Sequence, residues 1–323
     1  MQLTFGDAGD LGKRKQTRRE IFLAEMEQVV PWQQLRVLIA LHSPVSGRPG
    51  RQPYALATMW RIHLLQQWYA LSDPAMEEVL HEIATLRRVA QLGRLDDIPD
   101  EPTILNVRRL LETRDLAARM LEAVNAHLAR KGQSLRSGTI VDARLIAAPS
   151  STKSAHHARE TEMHQTRKRN RWYFGMKAHI GVDAFSGRAH HVHGTAADVT
   201  VAHTLLHGKE DRVFGDSGYT GAEKRDELRD CKAAFFIAAR PSTIQAIGNN
   251  RERAREQRWE HVKASVRAKV EHPFRVIKRR FGYTKVRYRG LAKNTAHVLS
   301  LFALSTLWMK RKQSLHATES VRL

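Results

Sequence analysis

The hydrophobic period changes once along this chain, near residue 136, and that change limits the folds open to it. Before it, apolar residues recur at helical spacing. Arg18 to Val30 is an amphipathic stretch ended by Pro31, and Trp32 to Leu41 continues in the same period. Tyr54 to Leu71 places Leu56, Met59, Trp60, His63, Leu64 and Trp68 at helical intervals. Asp73 followed by Pro74, with Glu77 and Glu78 near the positive end of the dipole, predicts a helix start, with Asp73 as cap, running to about Leu92. Thr103 to Arg130 reads as one long helix closed by Lys131 and Gly132. The proline-bearing segments His42 to Pro53 and Asp96 to Pro102 read as loops.

After residue 136 the pattern becomes alternation and short apolar runs. Strands are predicted at Thr139–Ile146, Trp172–Val182, Arg188–Gly194, Arg212–Asp216 and Ala233–Ala239, with helices at Val199–Leu206 and Ala222–Arg229. Pro241 to His261 is polar and basic and reads as a loop or insertion. Lys263 to Phe281 reads as helical, with Pro273 either kinking the helix or marking its start. Asn294 to Lys312 reads as a last helix capped by Asn294. The expectation is a mixed α/β domain preceded by an all-α region.

The 323 residues carry a net charge of +21. Residues 251–293 hold 15 Lys and Arg against four Glu, more than half of that excess. A basic stripe this dense points to a polyanion, and nucleic acid is the commonest one. Cys231 is the single cysteine, which excludes a disulfide framework or thiolate zinc site and fits a reducing cytoplasm. The first residues lack a signal-peptide pattern. The longest apolar run, Ala296 to Met309, is too short to span a bilayer, so no membrane partner is expected.

Three acids stand where the chemistry of phosphodiesters needs them. Asp142 interrupts an apolar strand, where an unpaired charge is costly. Asp216 ends a second short strand before a glycine-containing turn, and Glu271 lies inside the basic stripe. Three converging carboxylates repel one another and raise their pKa values unless a cation joins them. Hard oxygen donors favour Mg²⁺, with Mn²⁺ as a substitute, and two ions about 3.5–4 Å apart clamp the attacking and leaving oxygens of a phosphoryl transfer. In an unbroken helix Arg267, Glu271, Phe274 and Lys278 fall within about 60° of one another. The simpler reading of Arg267 and Glu271 is an ordinary i,i+4 ion pair.

Five motifs occur in order: Ile140-Val141-Asp142-Ala143 continuing to Pro149, Glu162-Met163-His164-Gln165-Thr166, Trp172-Tyr173-Phe174-Gly175-Met176-Lys177, Asp216-Ser217-Gly218-Tyr219, and Val270-Glu271-His272-Pro273-Phe274 continuing to Lys278. Together they resemble the bacterial DDE transposases of the insertion-sequence-five family. Ser72 to Glu78 and Ile98 to Leu105 resemble that family's helical N-terminal region, and the resemblance covers about residues 20–312.

The resemblance implies a ribonuclease H-like α/β catalytic domain over 136–312. A helical domain over 1–135 would serve DNA binding and dimerisation, and a basic, flexible tail would occupy 313–323. It implies Asp142, Asp216 and Glu271 as catalytic residues and metal ligands for two Mg²⁺ ions, and double-stranded DNA, both terminal repeats and target, as partner. It also implies a homodimer on DNA, at the bacterial nucleoid in the cytoplasm. Arg267, Glu271 and Lys278 match a Tyr-x2-Arg-x3-Glu-x6-Lys signature of the family, whereas Ala264 stands at the Tyr position. Arg267, Lys278, Arg275, Lys168 and Arg169 are the expected phosphate-binding residues, and the tract Arg167 to Arg171 is more basic than the family's usual sequence there.

Two other readings stay open at this level. His191-Val192-His193 matches the His-hydrophobic-His element of nicking enzymes that use a Tyr nucleophile. A noncatalytic DNA-binding relative is the other. Trp259 and Trp172 are candidates for stacking on an unstacked nucleotide, with core packing as the plainer role.

Overall fold

The computed structural model of the chain describes residues 15–42, 53–149, 162–168, 170–195 and 199–319. Helix α1 (Arg18–Val29) opens with a capping box. The Thr17 hydroxyl accepts from Glu20 N at 3.2 Å, while Thr17 N donates to Glu20 Oε2 at 2.8 Å. Pro31 separates it from α2 (Trp32–Ala40). Helix α3 (Leu56–Tyr69) is buried on every side from Thr58 to Trp68 and is the centre of the helical region. The predicted loop between α2 and α3 lies largely outside the described residues.

Both long helices expected in this region are broken in two. Helix α4 (Asp73–Glu82) is capped by Ser72, whose hydroxyl accepts from Ala75 N at 3.3 Å. Asp73, the expected cap, instead accepts from Arg108 at 2.7 Å and from Gln66 at 2.9 Å. Ile83 turns extended and the chain restarts as α5 (Ala84–Ala90). Helix α6 (Glu101–Thr113), capped by Asp100, ends before Asp115, whose φ of 49° is left-handed, and α7 (Leu116–Arg130) follows.

The sheet comprises β1 (Gly138–Ala147), β2 (His164–Lys168), β3 (Arg171–Asp183), β4 (Ala189–Thr195), β5 (Arg212–Gly215) and β6 (Ala234–Ile237). Strand β1 pairs antiparallel with β3 on one side and parallel with β5 on the other, and β6 extends the parallel side. The outer edge of β3 is shared, with β2 covering its first residues and β4 its last. Val199–Leu205, Ala222–Lys224 and Asp226–Leu228, expected as helices, are tight 3₁₀ turns.

The segment read as a polar loop is helical instead. It forms α8 (Pro241–Gln245) and α9 (Asn250–Arg267), with Asn249 capping α9 through Arg251 N at 2.9 Å. Lys263 is the buried residue of α9, so the helix lacks the apolar stripe that periodicity detects. The backbone then tightens through Ala268–Val270, restarts as α10 (Glu271–Arg275) and widens into a π-helical turn at Val276–Arg280. Pro273 thus falls in the first turn of α10, where a missing N–H breaks no helical hydrogen bond.

Helix α11 spans Leu291–Glu319. Asn294 lies inside it rather than at its cap. Its Oδ1 accepts from Arg287 N and Tyr288 N at 3.2 Å each, folding the preceding loop onto the helix. Residues 313–319 continue the helix and Ser314 is buried, where the sequence suggested a flexible tail.

One apolar core joins Phe22, Trp60, Leu64 and Met120 of the helices to Ile140 and Ile180 of the sheet and Phe302 and Leu304 of α11. A smaller cluster, with Val141, Val213, Tyr219 and Leu228, also packs on the sheet.

Candidate active site

Asp142 and Asp216 are brought together by strand pairing. Val141 of β1 lies opposite Gly215 of β5 in parallel register, so the two acids follow at the same end of adjacent strands. A side chain at Gly215 would come within 2.8 Å of Ile237 Cδ1 and 3.2 Å of Val141 Cγ2, so glycine permits this close approach. Beyond it the chain turns sharply. Asp216 Oδ1 accepts from Gly218 N at 2.9 Å, and the Tyr219 hydroxyl lies 3.0 Å from Nδ1 of buried His179. These bonds fix the direction in which Asp216 leaves its strand.

Asp142 is half-buried, and burial pushes its carboxyl up to about 6. The charge of Asp216 pushes the same way, while Arg144 and Arg267 oppose. The two carboxylates are therefore close enough to feel each other's charge.

Glu271 reaches the same place through Arg144. The Arg144 guanidinium forms a close ion pair with Glu271, lies 3.9 Å from Asp142 Oδ2 and sits 5.2 Å above the centre of the Phe274 ring. Arg144 was not among the expected site residues. Its signal is its position two residues after Asp142 on one strand, which puts both side chains on the same face. Arg267 contributes through its charge on Asp142, while Glu271 takes Arg144 as its ion partner.

Helix α9 is tied in place by buried polar contacts. Lys263 is 5% exposed, forms an ion pair with Glu260 and donates to Ile237 O at 3.0 Å. Glu260 in turn accepts from Ala239 N at 3.1 Å. These bonds anchor α9 to the end of β6 and so aim Arg267.

Arg275 and exposed Lys278 follow Glu271 along α10 and the π turn, which resets the angle between Glu271 and Lys278 from that of a regular helix. Lys168 pairs with Arg171, nine residues along β3 from Ile180, the partner of Asp142. At strand rise the two backbone positions are about 30 Å apart along β3. Arg169 lies outside the described residues.

Trp259 is 41% exposed and packs edge-on against Phe236 at 5.7 Å, and Trp172 is 65% exposed on β3. His191 and His193 lie on β4, where the His191 ring meets His190 with 2.7 Å between their Nδ1 atoms.

Residues 133–307, more than half of the chain, match the family described as Transposase DDE domain. The chain belongs to the DDE transposase family. Residues 11–110 match a second family, described as Transposase domain (DUF772). No solved structure matches the chain. A DDE transposase cuts and joins DNA in the movement of a mobile element, so DNA is its partner. Among the described residues no helix is long and apolar enough to cross a membrane.

The family generally uses divalent metal ions. Asp142 and Asp216 fit such an ion in kind, as hard oxygen donors whose mutual repulsion a cation relieves. As the side chains stand, no group of three or more His, Cys, Asp or Glu among the described residues could hold a metal ion. The Arg144 cation stands with Glu271 and beside Asp142 and offsets part of their negative charge.

Proposed function

We propose that the chain is a transposase of the insertion-sequence-five type with a ribonuclease H-like catalytic region over 136–312. Strand β1, flanked by antiparallel β3 and parallel β5, supports this reading, with an acid on β1 and another just past β5. The observation that carries it is the placement of Asp142 on β1 beside Asp216 just past the end of parallel β5, joined to Glu271 through Arg144.

Asp142, Asp216 and Glu271 are the residues to hold Mg²⁺, in a two-ion site, once Arg144 turns away from Glu271. Bound Mg²⁺ supplies charge neutralisation at the attacking and leaving oxygens of the phosphodiester. Arg267 favours the ionised form of Asp142 against the burial that raises its carboxyl, and Arg144 and Lys278 bind phosphate oxygens as cations. Water attacks the phosphorus at the element's end, the phosphorus–O3′ bond breaks, and a 3′-hydroxyl and a 5′-phosphate result. That hydroxyl then attacks a target phosphodiester, whose own 3′-oxygen leaves. Each step exchanges one phosphorus–oxygen bond for another, so no nucleotide cofactor is required. The helical region over 1–135 binds the terminal repeats and contributes dimer contacts, and the enzyme works at the nucleoid of the bacterial cytoplasm.

Labelled donor duplex incubated with Mg²⁺ tests the reading. Asp142→Ala is expected to abolish cleavage and joining without any protein–DNA adduct in the wild type. Cleavage that survives Asp142→Ala but is lost on changing a Tyr, with a covalent adduct, would replace it by the nicking mechanism.

A further inference from the structure

The helix that offers Glu271 to the carboxylates also lines a separate basic cavity. This cavity, about 580 Å³, is lined chiefly by His272, Arg275, Arg279, Arg280, Trp308 and Lys310, and among the described residues its lining includes no carboxylate. Arg275 ends α10 and Arg279 lies in the π turn that follows it.

The walls are built from groups already held by other contacts. Arg280 lies 4.8 Å above the Phe22 ring. Arg311 pairs with Glu25 at 2.8 Å and covers the Trp308 ring at 4.2 Å, which fixes that aromatic wall. Ser186 also lines it, and a side chain at the next residue, Gly187, would come within 3.4 Å of His272 Nδ1. Lys310 is pressed toward its neutral form by burial and by the Arg188 charge, with Asp183 opposing. Such a gathering of cations without a lining acid repels itself until an anion enters.

We infer that this cavity is a second phosphate-binding subsite, which takes the backbone of the DNA the enzyme acts on. It rests on the reading of the chain as a DNA transposase and adds to it a backbone contact at residues other than Arg144 and the three acids. The cavity is far larger than one phosphate, so it has room for a stretch of strand backbone. Because His272 and Arg275 share α10 with Glu271, a strand seated here also fixes the helix that carries the third carboxylate.

The test is duplex binding by the full chain, read by fluorescence anisotropy over a series of salt concentrations. Arg279→Ala combined with Lys310→Ala is expected to weaken binding about tenfold or more and to lower the log–log salt slope by about 2. Arg279→Lys with Lys310→Arg is expected to restore most of both. A double-alanine protein with the wild-type melting curve, affinity and slope overturns the inference. So does a cavity that takes inorganic pyrophosphate while duplex affinity ignores the substitutions, since it then serves a free anion. Mg²⁺-dependent cleavage by the wild type is scored separately. Cleavage with no effect of the cavity variants sinks this subsite alone, whereas a wild type that neither binds nor cuts duplex sinks the transposase mechanism itself.

Discussion

Arg144 and Glu271 are joined in a close ion pair directly beside Asp142, with the Arg144 Nε 3.9 Å from the Asp142 carboxylate. A cation from the protein's own first strand therefore neutralises the acid cluster. Glu271 remains half exposed, at 55% of its side chain, so its partner can be exchanged from solvent.

Replacing this internal cation should favour an external one. Arg144→Gln is expected to tighten Mn²⁺ binding by about tenfold, equivalent to about 1.4 kcal/mol, measured by calorimetry or by the electron paramagnetic resonance signal of free Mn²⁺. The metal-free protein should melt lower, because the carboxylates lose their counter-charge. Unchanged or weaker Mn²⁺ binding would show that Arg144 does not compete for the site.

The raised Asp142 carboxyl sets a second expectation. Its pKa of about 6 in the folded chain lies above the ordinary 3.8, so stability falls as pH rises from about 4 through 6 and stays reduced above that. Asp142→Asn is expected to stabilise the metal-free protein by on the order of 3 kcal/mol at pH 7.5, and by nothing below pH 4. Mg²⁺ should raise the melting temperature of the wild type and leave the variant unaffected. Calorimetric melts at the two pH values, with and without Mg²⁺, check both points.

Helix α9 should depend on its buried lysine. Lys263→Met leaves Glu260 without its ion partner and Ile237 O without its donor, a loss of about 3–5 kcal/mol. Adding Glu260→Gln should recover part of that stability. Urea melts of the single and double variants measure the coupling. Equal and additive losses would mean the pair does not hold the helix.

Acid should loosen the helical region through two buried imidazoles. Burial lowers His63 to about 4, with Arg108 adding and Asp73 opposing. Burial, then Arg287, His63 and Arg108, lower His297 to about 3. Both depressed values mean that the unfolded chain binds the extra protons. Stability is thus complete above pH 6.5 and declines as pH falls, by on the order of 3 kcal/mol per histidine at pH 4. His297→Phe keeps a ring between Tyr283 and Tyr288, 4.8 and 5.3 Å away, and should flatten that decline. A stability–pH curve from denaturant melts with the wild-type slope in the variant would refute it.

Much of the architecture was legible from period alone. The change near residue 136 separates a helical region, with α1 to α7 among the described residues, from a mixed region, and most strands fall within a few residues of their expected ends. Helix breaks were less legible, because Ile83 and Asp115 interrupt runs whose apolar spacing is continuous. Helix α9 was missed for the opposite reason, since a helix held by Lys263, Glu260 and main-chain carbonyls has no apolar stripe to find.

By itself the amino-acid sequence determined the order of the acids Asp142, Asp216 and Glu271, the basic stripe around the last of them, and the family motifs that contain all three. Tertiary structure decided how these groups meet. Parallel pairing of β1 with β5 sets Asp142 beside Asp216, which no local spacing encodes, because 74 residues separate them. The tightened and widened turns around α10 decide the angle of Glu271. Packing also chose Arg144 as its counter-charge, and directed Arg275 and Arg279 into a separate cavity. A charge pattern along the chain gives the sign of a site, whereas only the three-dimensional register gives the distances on which its electrostatics depend.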